Sequence, residues 1–316
     1  MWMVLGRTMK LTKVLRDRYR GIKEERAAIK AGKPPPSFIP TRLREFDKRG
    51  GHKRKSIALY AAETGGGKSL WKLHLAWAAA SEGYRVNLVD LEDPADRTAD
   101  RVFARGTDIN SARILAGDLE DDDIIRIADA LEEAEEWADR VEYFDGVRTG
   151  EEALGLFAEH ESDLDVFDYL SALPHGRNGR EREVSEFMWG WTKLCQQRNR
   201  AGVALAQLKG EVTKRGLEIA QRSKRFATDP KAKPDIDGFR IYDAEDLAWC
   251  TDAGRNAKEL GGMCRPGRHY KRLGHGDVKD DIMEFDFPKR NWGAEGRIRV
   301  GIDLKTARFF DLNEKE

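Results

Sequence analysis

From residue 37 onward the apolar positions fall into two alternating kinds of run. Short, dense stretches at 57–62, 86–91, 112–115, 141–144, 164–168, 202–206 and 246–250 predict strands. Longer stretches at 68–82, 95–105, 121–139, 150–160 and 182–199 repeat apolar residues every three or four positions, as in Val184, Phe187, Trp191 and Leu194, and predict helices. Strand and helix in alternation predict an α/β fold, a mainly parallel sheet flanked by helices on both faces. Residues 282–287, 297–302 and 307–310 then predict antiparallel strands closing one edge. Two stretches rich in glycine and basic residues, 208–240 and 252–280, break the rhythm and read as long loops, functional or mobile.

Residues 8–31 stand apart. Leu11, Leu15, Ile22 and Ile29, with Val14 and Tyr19 beside them, make one apolar stripe on an otherwise basic amphipathic helix. Gly32-Lys-Pro-Pro-Pro36 ends it in a stiff linker. A lone helix on a tether has no core of its own, so its stripe is expected to dock on another surface. The chain therefore divides into an arm and linker, 1–36, and one domain, 37–316.

Charge sharpens this division. The 316 residues carry 56 basic and 56 acidic side chains, yet residues 1–55 hold 17 Lys/Arg against 5 Asp/Glu. Residues 88–165 hold 25 acidic against 7 basic, and 209–233 return to eight basic against three acidic. The basic blocks suit a polyanion, and the acidic stretch must face away from one. No run of 18 apolar residues occurs, and the apolar start is too short for a secretory signal, so neither a membrane span nor export is expected. The three cysteines lie far apart with no zinc spacing, which fits a reducing cytoplasm.

Chemistry enters at Ala62-Glu-Thr-Gly-Gly-Gly-Lys-Ser69, a phosphate-binding loop set between a strand and a helix as the motif requires. Glu63, Thr64, Gly65, Gly66, Gly67, Lys68, Ser69 and Leu70 are the expected nucleotide-binding residues. Lys68 would reach the β- and γ-phosphates, and the Ser69 hydroxyl would ligate Mg²⁺. Asp168 ends the strand 164–168, the expected place for a carboxylate supporting the metal through water, while Asp165 within that strand is unexpected and reads as an edge residue. Glu92 follows the strand 86–91 and is the expected general base. Gln207 ends the strand 202–206, where an amide can sense the γ-phosphate or merely cap the strand. Lys289-Arg290 in Pro288-Lys-Arg-Asn-Trp-Gly293 reads either as a solvated turn or as an arginine finger for a neighbouring subunit's nucleotide.

In order and spacing these pieces resemble the RecA-like motor domain of hexameric replicative DNA helicases of the DnaB type, over most of 37–316. The resemblance rests on Phe38–Asp47, Ala61–Ser69, Leu91-Glu92, Val166–Leu173, Ala204–Leu208, Asp243–Leu247 as an acidic strand entry, and Pro288–Gly293 followed by Thr306–Asp311. It implies an ATP- and Mg²⁺-dependent motor that translocates on single-stranded DNA and unwinds duplex in replication. It also implies a homo-hexamer whose arm packs on the adjacent subunit, with primase or a helicase loader as further partners. Arg290 would complete the neighbour's site. Single-stranded DNA would meet Arg177 and Arg180, in the stretch after Asp168, and Lys209, Lys214 and Arg215. Against that pattern, the sequence reads as lacking the family's usual N-terminal domain before the arm, Lys289 and Arg290 are adjacent where the family separates them by one residue, and 252–280 looks like an insertion. The missing domain keeps a second reading open, a RecA-like DNA-dependent ATPase that loads or remodels proteins, or serves recombination, without unwinding.

Overall fold

The computed structural model describes residues 10–173, 179–226, 233–248, 250–291 and 295–312, without the side chains of Arg180 and Phe226. The chain opens with α1 (Leu11–Lys30), β1 (Phe38–Ile39), α2 (Arg44–Lys48), β2 (His52–Lys53), β3 (Ser56–Ala62) and α3 (Lys68–Ser81). It continues through β4 (Val86–Asp90), α4 (Ala95–Thr107), α5 (Ser111–Ala116), α6 (Asp121–Ala138), β5 (Val141–Phe144), α7 (Gly150–Glu159) and β6 (Leu164–Asp168). Then follow α8 (Arg180–Arg198), β7 (Ala201–Gln207), α9 (Gly210–Phe226), α10 (Thr251–Asn256), β8 (Glu259–Cys264), α11 (Pro266–Arg272), β9 (Ile282–Arg290), β10 (Gly296–Asp303) and β11 (Arg308–Phe310).

Nine strands form one sheet in the order β11-β10-β9-β8-β3-β7-β6-β4-β5. The strands from β8 to β5 run parallel, and β9, β10 and β11 continue antiparallel to one edge. Every residue of β3 is buried, as a strand covered on both faces must be. Its alternate side chains serve two cores. Ala58, Tyr60 and Ala62 join the layer of α3, with Phe46, Trp71, Phe285 and Phe287, and Ile57, Leu59 and Ala61 join that of α8, with Phe157, Phe187 and Trp191. The parallel strands all end at one edge, where open α/β sheets bind ligands.

Four expectations are corrected. Residues 112–115 are helical, because Asn110 caps the Ala112 N–H at 3.0 Å and Gly117 ends the turn with a left-handed φ of 66°. The described residues of 246–250 hold only an isolated antiparallel bridge, Leu247 to Leu208, after the 3-10 turn that Asp246 closes, so Asp243–Leu247 opens no strand of the sheet. Nor is 252–280 an insertion, since it supplies β8, which lies between β3 and β9. The stretch 208–240 likewise holds the helix α9, anchored by buried Val212 and Ala220. None of the residues of α1 is buried, and Leu11, Leu15, Tyr19 and Ile29 are each more than 60% exposed, so the arm keeps its stripe free. Among the described residues no helix is long and apolar enough to cross a membrane.

Candidate active site

The loop after β3 turns sharply, with the Gly66 N–H donating to Glu63 O at 2.9 Å. Gly65 and Gly67 take φ of 69° and 103°, in the left-handed region that disfavours any side chain. Gly67 caps α3, whose first N–H groups have no helical partner and point their partial positive charge into the loop. Lys68 opens that helix and is only 7% exposed. Burial holds its ammonium pKa below the usual range, against the pull of Asp168 and Glu92. Ser69 follows, half-buried. Thr64 Oγ1 accepts from Gln207 Nε2 at 2.7 Å, which ties the end of β7 to the loop. Glu63 offers its backbone only, because its carboxylate accepts from Thr213 Oγ1 at 2.7 Å and pairs with Arg272 at 3.1 Å. Leu70 packs its side chain against the core.

Beside the loop, β4 and β6 end in register, with Asp90 opposite Asp168. Asp90 Oδ1 accepts the N–H groups of Glu92 and Asp93, each at 3.1 Å, and so shapes the turn that holds Glu92 out in solvent. The Asp168–Tyr169 peptide is cis. Joining these strand ends is a residue the sequence pattern passes over. Lys72, one helical turn after Lys68, is fully buried, bonded to Asp90, 2.9 Å from Asp168 Oδ2 and 3.4 Å from Asp93. Burial works to discharge it, but Asp168 and Asp90 outweigh that and raise its pKa. Its signal was a lysine in a helix with no polar face, a position that demands a buried anion.

Burial raises the pKa of Asp168, with Lys72 opposing. Neither carboxylate oxygen has a hydrogen bond of ordinary geometry, although both are buried. Lone pairs of that kind, at the strand edge where the phosphate loop also ends, fit a hydrated divalent cation. Among the described residues no group of three or more His, Cys, Asp or Glu forms a metal site by itself.

Other expected residues sit elsewhere. Asp165 is not an edge residue. It is wholly buried and accepts from Ser162, Asn87, Trp191 and Arg200. Arg290 is not a free finger. Its side chain is fully buried and pairs with Glu259 at 2.5 Å, while the other Glu259 oxygen takes the Tyr60 hydroxyl, so the guanidinium is held inside the sheet. Arg215 is not a free DNA contact either. It forks onto Asp246 at 2.7 and 3.0 Å and donates to Gly238 O and Arg240 O. Lys214 is exposed and Lys209 half-buried at the start of α9, whereas Arg177 and the Arg180 side chain lie outside the described residues.

A largely parallel sheet, a phosphate loop after one central strand and carboxylates at the ends of neighbouring strands define a P-loop ATPase of RecA-like architecture. Residues 39–223 match the profile of the DnaB-like helicase C-terminal domain. The chain belongs to that family, and is an ATP-hydrolysing DNA helicase motor. No curated protein matches it. Solved structures share the fold. The ATPase domain of G40P superposes with a TM-score of 0.76 at 18% identity, covering 97% of this chain and 100% of that one. A DnaB-like replicative helicase, described together with its interactions with primase, gives 0.70 at 19% identity, covering 97% of this chain and 68% of that one. The RadB recombinase gives 0.53 at 14% identity, covering 87% and 99%.

Proposed function

We propose that this motor hydrolyses ATP at the loop edge of its sheet, in a six-membered ring that draws single-stranded DNA through its centre. What carries the reading is convergence: the loop, the turn of Glu92, Asp168 and the Gln207–Thr64 hydrogen bond all meet at one edge. Lys68 grips the β- and γ-phosphates, while Ser69 would ligate Mg²⁺ and Asp168 would support the hydrated ion. Bound there, the metal would supply charge neutralisation across the phosphate oxygens. Glu92, exposed and unencumbered by the Lys72 cluster, orients and deprotonates the attacking water. Gln207 reports the γ-phosphate to α9 through Thr64.

The ring reading draws on two surfaces. The basic, apolar stripe of α1 matches Leu115 on α5, 62% exposed, and Ile124, Ile125 and Leu131, 53, 59 and 47% exposed on the acidic helix α6. We therefore assign α5–α6 as the berth for a neighbour's arm. The β9–β10 hairpin leaves the sheet at the end opposite the loop, since Glu259 begins β8 while Cys264 ends it. A residue there faces a neighbour, and Lys289, half-buried and donating to Arg255 O, is the better placed cation now that Arg290 is accounted for. Lys209 and Lys214, with Arg177 and Arg180, bind DNA phosphates without regard to sequence. A primase or loader is the further protein partner, in a bacterial or phage-infected cytoplasm.

Purified protein should show DNA-stimulated ATPase, unwind forked DNA, and form rings in mass photometry with ATP and single-stranded DNA. Lys68→Ala should abolish hydrolysis. An ATPase indifferent to DNA, or a strict monomer under all conditions, would count against the reading.

A further inference from the structure

The segment that ends β8 supplies a feature that the family resemblance does not predict. Because β8 runs parallel to β3, with Ala58 level with Glu259 and Ala61 with Gly262, its C-terminal end emerges beside the phosphate loop. There Arg265, Arg268 and Arg272, at and within α11, each hold one of three consecutive loop residues. Arg265 Nη1 donates to Gly65 O at 3.0 Å, Arg268 Nη2 to Thr64 O at 2.8 Å, and Arg272 pairs with the Glu63 carboxylate at 3.1 Å. Arg268 comes closest, since a Cβ on Gly65 would stand 2.8 Å from its Nη1.

The three arginines differ in how their charge is met. Arg265 is locked onto Asp280, and Arg272 onto Glu63. Arg268 has no carboxylate within 4.0 Å among the described residues, and its bond to a neutral carbonyl leaves its charge unmatched. Glu63 and Asp280 act on it from farther away, but Arg265 and Arg272 outweigh them. Burial first, then Arg265 and Arg272, lower its pKa, and Arg268 in turn helps lower that of Lys68. A half-buried, unpaired guanidinium at the lip of a phosphate loop is stabilised by an arriving anion more than by anything already present.

We propose that Arg268 is a phosphate-binding residue of its own subunit's site, a second cation in cis that contacts the triphosphate of the bound nucleotide together with Lys68. The inference rests on nucleotide binding at residues 62–69 and adds to it. It also gives the region 252–280 a task, since one segment both completes the central sheet and presents a charge to the ligand. Arg268 is tethered to the loop it serves, so its guanidinium stands ready before nucleotide arrives.

A bracing role and a phosphate-binding role separate by substitution. Arg268→Gln keeps an N–H donor for Thr64 O but loses the charge, whereas Arg268→Lys keeps the charge. In the full chain, equilibrium binding of a fluorescent mant-ATP should weaken by about tenfold or more in Arg268→Gln and by at most about threefold in Arg268→Lys. Inorganic tripolyphosphate as competitor should lose potency in Arg268→Gln by a similar factor. Wild-type affinity in Arg268→Gln, or equal losses in the two variants, would overturn the proposal. Lys68→Ala is the reference. If it too binds mant-ATP normally, the site itself is misassigned; if it alone loses binding, only the role of Arg268 fails. Unfolding midpoints without nucleotide, expected to match wild type for Arg268→Lys and Arg268→Gln, exclude misfolding as the cause.

Discussion

Two aspartates three residues apart on β6 divide this molecule between architecture and chemistry. Asp165 and Asp168 are both wholly buried, and burial raises the pKa of each. Being three apart on a strand they face opposite layers. Asp165 turns to α8, where its Oδ1 accepts from Ser162 at 2.6 Å, Asn87 at 3.1 Å and Arg200 at 3.2 Å, and its Oδ2 from Trp191 at 3.1 Å. Asp168 turns to α3, where a single ammonium stands beside otherwise unused oxygens. A carboxylate with every lone pair engaged holds a fold together and has nothing left to offer a ligand. One held by a lone cation at the edge where strands end is stabilised enough to exist and still free to act.

Lys72 should break the comparison most severely, because it belongs to both categories. Lys72→Met leaves Asp90 and Asp168 buried without their shared cation. It should cost about 3–5 kcal/mol in denaturant unfolding and also stop hydrolysis in whatever protein remains folded. Asp165→Ala should come next, at about 3 kcal/mol, by stranding Arg200 and Trp191. ATP turnover per folded molecule should stay near wild type. A large loss of turnover at unchanged stability would reverse the assignment.

The far end of the sheet offers a third, pH-dependent test. Burial, and secondarily Arg290, hold the pKa of His52 down to about 3, and neither ring nitrogen has a partner. A depressed folded pKa removes no stability above 6.5, the unfolded value, and removes it progressively as pH falls below that. Between pH 6.5 and 5 the His52 share amounts to about 2 kcal/mol. His52→Leu should flatten the stability profile by that much in thermal or denaturant melts, while leaving the pH dependence of ATP turnover alone. Gln207→Ala should have the smallest effect on stability, under about 1 kcal/mol, because its bond to Thr64 is a single exposed one. Its turnover should fall about tenfold with little change in ATP affinity.

The sequence exposed much of this division, for reasons that are local. The phosphate loop was legible because its glycines and its strand-to-helix setting lie within a few residues, and Asp168, Glu92 and Gln207 because each simply follows an apolar run. Strand β8 was hidden because it reads Glu-Leu-Gly-Gly-Met-Cys, and glycine suggested a loop. Those glycines are packing requirements: a Cβ on Gly261 would lie 2.6 Å from the Tyr60 ring, and one on Gly262 2.0 Å from Ile241. The pairing of Arg290 with Glu259, and of Arg215 with Asp246, is set by strand register and by the course of the chain after α9, neither of which a linear pattern encodes. Lys72 was passed over because periodicity registers apolar positions, and its meaning lies in three carboxylates brought to it by two other strand ends.

The most direct test is DNA-stimulated ATP turnover, with forked DNA present, in Asp168→Asn and Asp165→Asn measured side by side at a temperature where both are folded. The account predicts a loss of about a hundredfold or more in Asp168→Asn and at most a few-fold change in Asp165→Asn. Turnover that survives in Asp168→Asn, or that collapses equally in both, would contradict it.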